Sequence, residues 1–518
     1  MTIMARTGPA GPAGPASQAG GSRLRWLAAA VLITGTLMDM IDVTIVNVAL
    51  PTVRADLHAS ATQLEWVVSG YMLAFASALI VAGSFGDLLG RKRIYLAGAG
   101  VFGAASLGAG LATSPSQLIA CRVVQGLAAA AMAPQVLATF RVIFGAKERS
   151  KAFSIYGATL GFASAVGLLA GGLLTEADLF GWSWRAVFFV NVPVAVVTLI
   201  AGARLIPETR ERDARRPDLR GAAGLAASLV AIVYPLLEGR QLGWPAWIWA
   251  VLAAGLAGLV LLGVAEQRRR RPGVAPLMRP GLLRIPAFSA GLGVQIAFSV
   301  GMQAYFLAFA LWLQAGQHFS PLRAGLTSIA FSAGSFVLAP VAVPLAQKYG
   351  RGVLVLGGII MAAGTVAATA GAQHIGAGGS SWPIVPGLLV MGAGLSLLVI
   401  PLVNVVLAAV PAAAAGGASG QFSTAQQLGG AIGVAIGGTV FFGYLGSGHT
   451  FVAAFTRTAP YVIGAFLLCA LASLLLPRTA VADEFAAGAT GPALDPAPAP
   501  DGQPETGPRP AGRTAGTS

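Results

Sequence analysis

The chain reads as an all-α membrane protein of fourteen spans, arranged as two six-helix bundles with two extra transmembrane helices between them. Three observations predict this class. Of 518 residues, 56% are hydrophobic and 10% charged, with a mean hydropathy of +0.75. That is the composition of a polytopic membrane protein and excludes a soluble enzyme. Fourteen apolar stretches follow one another, each long enough at ~1.5 Å per residue to cross a hydrocarbon layer of ~30 Å. With the N-terminus in the cytoplasm, 27 of the 33 Lys and Arg residues fall on the inner side and 5 on the outer, leaving Arg122 alone inside a span. The positive-inside rule accounts for that bias. The net charge of +14 is therefore a topology signal, no nucleic-acid partner is expected, and Arg268 to Arg271 read as a stop-transfer anchor.

Residues 1–25 are rich in Gly, Pro and Ala and have no apolar signal-peptide core, so a disordered cytoplasmic tail is expected. Helix 1 covers Trp26 to Pro51, followed by spans near Gln63 to Ser84, Ile94 to Ala112, Gln117 to Phe140, Ala152 to Leu174 and Trp184 to Leu205. These six form the expected N-terminal bundle, residues 26–205. A linker, 206–285, carries helices 7 and 8 near Leu219 to Leu237 and Ala246 to Val264. The C-terminal bundle, 286–477, holds spans near Ala287 to Leu313, Ala324 to Leu345, Val353 to Ala372, Ile384 to Ala409, Ser419 to Tyr444 and Val452 to Leu476. Residues 478–518 are a Pro/Ala/Gly-rich stretch expected to be a second disordered cytoplasmic tail. Both cysteines lie in apolar runs, so neither a disulfide framework nor a metal cluster is implied.

Helix 1 carries two carboxylates, Asp39 and Asp42, near its middle. A charge at that depth costs at least ~2.5 kcal/mol, so a partner is expected. Arg122 in helix 4 fits: it lies ~10 Å below Pro115, while Asp42 lies ~13 Å below Pro51. Asp39 is one turn deeper on nearly the same face. Two neighbouring carboxylates in a low-dielectric cavity do not both ionise easily, while an arginine favours the charged form of one. Such a cluster can take up and release a proton; a purely structural Asp–Arg pair is the alternative.

Between Glu266 and Asp483 there is no Asp or Glu, so carboxylate coupling must sit in helices 1 to 6. Glu65 is the remaining intramembrane acid, and Thr62-x-x-Glu65 reads as a capping box. The loop Gly83 to Arg93, GSFGDLLGRKR, sets Asp87 and Arg91 around the turn glycine Gly90 on the cytoplasmic side. Its spacing recurs at Ala346 to Arg351, at an offset of 260, as a duplicated transporter half would produce.

These residues resemble a known family. GSFGDLLGRKR is similar to the helix 2/3 signature of the major facilitator superfamily, and LMDMIDVTIVNVALP to helix 1 of its fourteen-span drug:proton antiporter branch. Arg122-Val-Val-Gln125-Gly126 resembles the helix 4 motif, Trp184-Arg185 through Asn191-Val192-Pro193 the start of helix 6, and Leu313-Gln314 with Ser320 to Gly325 the helix 9/10 loop. The resemblance implies proton coupling at Asp39, Asp42 and Arg122, and a conformational switch loop at Gly83, Asp87, Gly90 and Arg91. It implies an antiporter glycine motif at Gly167, Gly171 and Gly172, where Leu168 replaces the family's proline and predicts a less kinked helix 5. Ser69 stands where some relatives place an acid, and Asp39 is expected to supply the missing carboxylate.

Other patterns carry blander meanings. Gly98-Ala-Gly100-Val-Phe-Gly103 matches a dinucleotide fingerprint but lies inside a span with no preceding strand, so close helix packing is expected. His58, His318, His374 and His449 all fall in expected outer loops. No G-x-x-x-x-G-K-[ST] occurs, which disfavours ATP as the energy source. Tyr71, Gln125, Gln295, Gln303, Tyr305, Asn404 and Gln426 are candidates to line a substrate cavity, or to glue helices together.

The expectation is a proton-coupled exporter of lipophilic small molecules such as antibiotics, working by alternating access. It is expected to be a non-enzyme with no cofactor and no metal, monomeric in the cell membrane. Its partners are protons, substrate and bilayer, and both termini are cytoplasmic. A gradient-independent facilitator, a metabolite importer, and a non-transporting scaffold or lipid-handling protein are the alternatives.

Overall fold

Long apolar runs punctuated by Ser, Pro and Gly set the helix ends. The computed structural model describes residues 15–210, 216–268, 274–275, 280–375, 379–410 and 415–476. Fourteen long helices follow in order among the described residues. The first six are α1 (Pro15–Leu57), α2 (Ala61–Leu89), α3 (Arg91–Gly110), α4 (Pro115–Ile143), α5 (Ala146–Glu176) and α6 (Asn191–Leu205). Then come α7 (Leu219–Leu242) and α8 (Ala246–Arg268). The last six are α9 (Pro286–Leu311), α10 (Pro321–Tyr349), α11 (Gly352–Gln373), α12 (Val385–Ala408), α13 (Ala415–Gly446) and α14 (Phe451–Ser473). The loops after α6 and α8 add a two-residue parallel pair, β1 (Arg216–Pro217) with β2 (Val274–Ala275).

Side-chain caps explain several starts: Ser114, Asp218, Ser320 and Thr450 each accept a hydrogen bond from a backbone N–H three residues on. Pro115 and Pro321 occupy first-turn positions where a missing N–H costs nothing. Four differences from expectation stand out. The first helix begins at Pro15, since residues 15–25 prolong a helix already nucleated downstream; the rest of the expected N-tail, and the C-tail, lie outside the described residues. The capping box of α2 is built from Ser60 and Gln63, not Thr62 and Glu65, because the helix starts two residues earlier than expected. A separate turn, Ala186–Phe189, precedes α6. A π-turn at Trp312–Gly316 follows α9.

Twelve of the helices are long and apolar enough to cross a membrane. The other two, α3 and α5, are rich in Ala and Gly and lie against neighbours, α3 on α4 and α6, α5 on α1 and α10. Close packing of small residues supplies what their hydropathy lacks. The helix pairings repeat at an offset of eight helices: α1 with α5 and α6, α2 with α4, and α3 with α4 and α6 correspond to α9 with α13 and α14, α10 with α12, and α11 with α12 and α14. The two sets meet at two equivalent seams, α2 on α13 and α5 on α10, and α7 lies beside the first of these with α8 against its outer side.

On the side carrying the α1–α2 turn, three contacts join the sets. Gln314 Nε2 donates to the Val48 carbonyl at 2.7 Å, Glu176 Oε2 accepts from the Leu322 N–H at 3.0 Å, and Glu65 packs on Gly438. The glycine run once compatible with a dinucleotide loop is helix packing: Gly98 faces Ala128 and Met132 of α4, and Gly103 faces Ala195 of α6.

Candidate functional site

Asp42 and Arg122 meet at the centre of the first six helices, 0% and 1% exposed. Arg122 Nη1 forms an ion pair with Asp42 Oδ2. Its Nε donates to the Val67 carbonyl of α2 at 3.1 Å, and Nη1 also reaches Gln125 Oε1 at 3.0 Å, one turn along α4. The other carboxylate oxygen, Oδ1, accepts from Asn191 Nδ2 at 2.9 Å and Gln125 Nε2 at 3.3 Å. Ser106 Oγ of α3 accepts from both amides, at 2.7 Å from Gln125 and 3.2 Å from Asn191. Five helices thus converge on one ion pair. A buried charge pair that loses a partner costs several kcal/mol, so the network holds these helices in register.

Asp39 sits apart from that network. It is buried, and the hydrogen bond it receives among the described residues comes from the Tyr71 hydroxyl. The same tyrosine ring lies under the guanidinium of Arg122, 4.3 Å from its carbon, and Phe188 covers it at 6.0 Å. Tyr71 therefore links the two carboxylates: its hydroxyl to Asp39, its face to the cation that balances Asp42. Asp42 is met by the Arg122 cation and two amide donors, whereas Asp39 has a single neutral donor among the described residues.

The loop between α2 and α3 pairs Asp87 with Arg91 around Gly90. Arg91 Nε and Nη2 grip Asp87 Oδ1 at 3.1 and 2.7 Å. Gly90 takes φ +112°, a backbone conformation that side chains disfavour, so the turn needs glycine. Glu208, from the segment after α6, lies on Gly90, accepts the Lys92 N–H at 3.2 Å and pairs with Arg93 at 3.6 Å. An acid at the start of α3 suits the helix dipole. Lys92 Nζ also donates to the Ala203 carbonyl near the end of α6 at 2.6 Å. Gly83 makes an ordinary contact with Pro134. The echo at Gly350–Arg351 behaves alike: Gly350 has φ +59°, and Arg351 donates to the Leu474 and Leu476 carbonyls beyond α14, the latter at 2.7 Å.

The helix 5 glycines are contact points. A side chain on Gly167 or Gly171 would strike Thr44 or Ile45 of α1, and one on Gly172 would strike the backbone of Pro321 and Leu322, where α10 begins. α5 runs unbroken through Leu168.

The seven candidate substrate residues do not gather in one place. Tyr71 and Gln125 belong to the charge cluster. Gln295 donates to Ser299 on its own helix at 3.1 Å, and Gln303 to Met72 Sδ at 3.6 Å. Tyr305 is buried among Phe306, Phe309 and Phe455 with its hydroxyl unpartnered among the described residues. Asn404 turns to its own Ile400 carbonyl at 3.2 Å, and Gln426 is exposed. A cleft between α1, α9 and α10 is lined instead by Asn47, Val48, Phe306, Phe309, Gln314 and Ser328. All four histidines are exposed.

Sequence reasoning missed Asn191, Ser106 and Glu208. Asn191 had been visible inside the helix 6 motif, but nothing in that motif tied it to Asp42.

Residues 32–294 and 291–511 match the Major Facilitator Superfamily, and the chain belongs to it. It is a multi-pass membrane protein and a transporter of small molecules, not an enzyme. The chain is 39% identical over 82% of its length, and 74% of the relative's, to a probable actinorhodin transporter of Streptomyces coelicolor. It is 32% identical to the tetracenomycin C resistance and export protein of Streptomyces glaucescens, over 83% of this chain and 78% of that protein. Among solved structures it is similar to a D-xylose–proton symporter, at a TM-score of 0.62 and 14% identity over 88% of this chain and 98% of the other, a likeness of fold.

Proposed function

We propose that this chain is a proton-coupled exporter of lipophilic small molecules such as antibiotics, acting as a monomer in the cell membrane with both termini in the cytoplasm. The observation that carries the reading is the buried cluster in which Asp42 is paired with Arg122 while the nearby Asp39 has a single hydroxyl donor. Relatives named for antibiotic transport and export support the direction and the substrate class.

In this mechanism residues 26–205 and 286–477 rock as two units about the seams, with 206–285 riding beside them. A proton entering from outside settles on Asp39. Tyr71 passes the change to Arg122, whose hold on Asp42 and the Val67 carbonyl shifts α4 against α2. The loop around Asp87 and Arg91 latches the cytoplasmic ends of α2, α3 and α6 in one state, and the glycines at 167, 171 and 172 let α5 slide on α1 and α10. Substrate is held by apolar surface with a few polar contacts, Gln303 and Gln426 among the candidates.

Everted vesicles with an imposed pH gradient test this. Accumulation of an antibiotic that follows the gradient and vanishes in Asp42→Asn, at unchanged abundance, is expected. Accumulation independent of the gradient would point to a facilitator, and resistance unaffected by Asp42→Asn would remove the coupling role.

A further inference from the structure

The α2–α13 seam contains an acid that the mechanism above does not use. Glu65 is 1% exposed, and neither carboxylate oxygen has a hydrogen-bond partner among the described residues. It faces Gly438 of α13, where any added side chain would collide with Oε1. The glycine therefore makes the room into which the acid closes. One turn along α2, Ser69 Oγ is also buried and unpartnered among the described residues.

The charged groups around it are otherwise engaged. On α7, Glu238 accepts from Trp66 Nε1 at 3.0 Å, and Arg240 lies over the Phe442 ring at 5.7 Å. On α1, Arg54 stacks on the same ring at 5.5 Å. On α4, Arg122 is held by Asp42 and the Val67 carbonyl. The titratable group on α13 is Tyr444, beside His449 and Arg457. On α3, the end that meets α4 carries no charged side chain. A carboxylate ion sealed here would have no hydrogen-bond donor and no ion pair among the described residues, with only the more distant charge of Arg240, itself offset by Glu238, to balance it in a low-dielectric seam, an arrangement proteins avoid by taking up a proton.

We infer that Glu65 is a second proton-binding site, separate from Asp39, Asp42 and Arg122, and that its protonation is required for the α2–α13 seam to close on the side of the α1–α2 turn. One proton adds to one carboxylate oxygen before closure and leaves to water when the seam reopens. The inference rests on the alternating-access reading.

The test uses the full chain in lipid nanodiscs, with Cys121→Ser and Cys469→Ser and spin labels on His58→Cys and Ser447→Cys, in the α1–α2 and α13–α14 turns. Distances across the seam are measured between pH 5 and 9. In the Glu65 form, a short-distance population that grows as pH falls is expected. With Glu65→Gln the short distance should dominate at every pH, and with Glu65→Asp the pH dependence should return. Asp42→Asn should keep the pH-dependent distance while losing transport. A Glu65→Gln variant that still titrates like the parent would overturn the inference and leave alternating access standing. A distance that never changes, with pH or with added antibiotic, would overturn both.

Discussion

Helices α1–α6 and α9–α14 make the same pairwise contacts from opposite chemistry. The first set buries Asp39, Asp42, Glu65 and Arg122 and joins five helices through amides and a hydroxyl. The second has no Asp or Glu between Glu266 and Asp483, and its helices meet through glycine. Gly334 faces the backbone of Leu389, Gly392 that of Phe331, Gly364 that of Met391 and Gly358 that of Phe466 and Ala470. One architecture thus tolerates either a polar or a close-packed core. A buried polar network fixes a single arrangement and can be switched by a proton; backbone-on-glycine packing is rigid and indifferent to pH. The contrast fits a division of labour in which the first set responds to protons and the second is the body it moves against.

The largest effect should come from Arg122→Ala, which strands Asp42. A loss of about 3–5 kcal/mol is expected, read as a large fall in thermal unfolding temperature in detergent together with loss of gradient-driven transport. The counterpart in the second set is Gly392→Ala, which forces a methyl group against the Phe331 carbonyl. It should cost about 1–3 kcal/mol through overpacking while sparing the pH dependence of transport. If Gly392→Ala shifted that pH dependence, the asymmetry would break. Asn191→Ala removes one of the two amides on Asp42 Oδ1, and about 1.5 kcal/mol with a shifted pH profile is expected, because Gln125 remains in place. Smallest are the paired loop contacts, Lys92→Ala and Arg351→Ala. Each lies at a partly exposed helix end and should change stability by less than about 1 kcal/mol. Lys92→Ala alone should slow transport if the switch loop acts as a latch.

Much of this contrast could be read before any coordinates. Counting residues from Pro51 and Pro115 put Asp42 and Arg122 at one depth, and the structure joins them. The offset-260 echo pointed to a duplicated half, and α9–α14 pair as α1–α6 do; that Arg351 would brace the end of α14 was not legible in it, because its match in the first half, Arg91, turns to Asp87 instead. Neutral polar residues were harder. Asn191 and Ser106 look like any interhelical glue until the break before α6 turns Asn191 inward. Glu65 was misread because Thr62-x-x-Glu65 imitates a capping box, whereas the chain begins its helix at Ala61 and frees Glu65 for the seam. Polar residues expected to converge on a cavity scattered because hydrogen bonds to their own helix, as in Gln295 and Asn404, satisfy them locally.

Proton release measured with a pH indicator when a transported antibiotic is added to purified protein tests most directly where coupling resides. Release that falls in Asp39→Asn to no more than the part Glu65 supplies, and disappears in Asp39→Asn combined with Glu65→Gln, with antibiotic binding retained, is the expected result. Undiminished release from Asp39→Asn and from Asp42→Asn alike would contradict it.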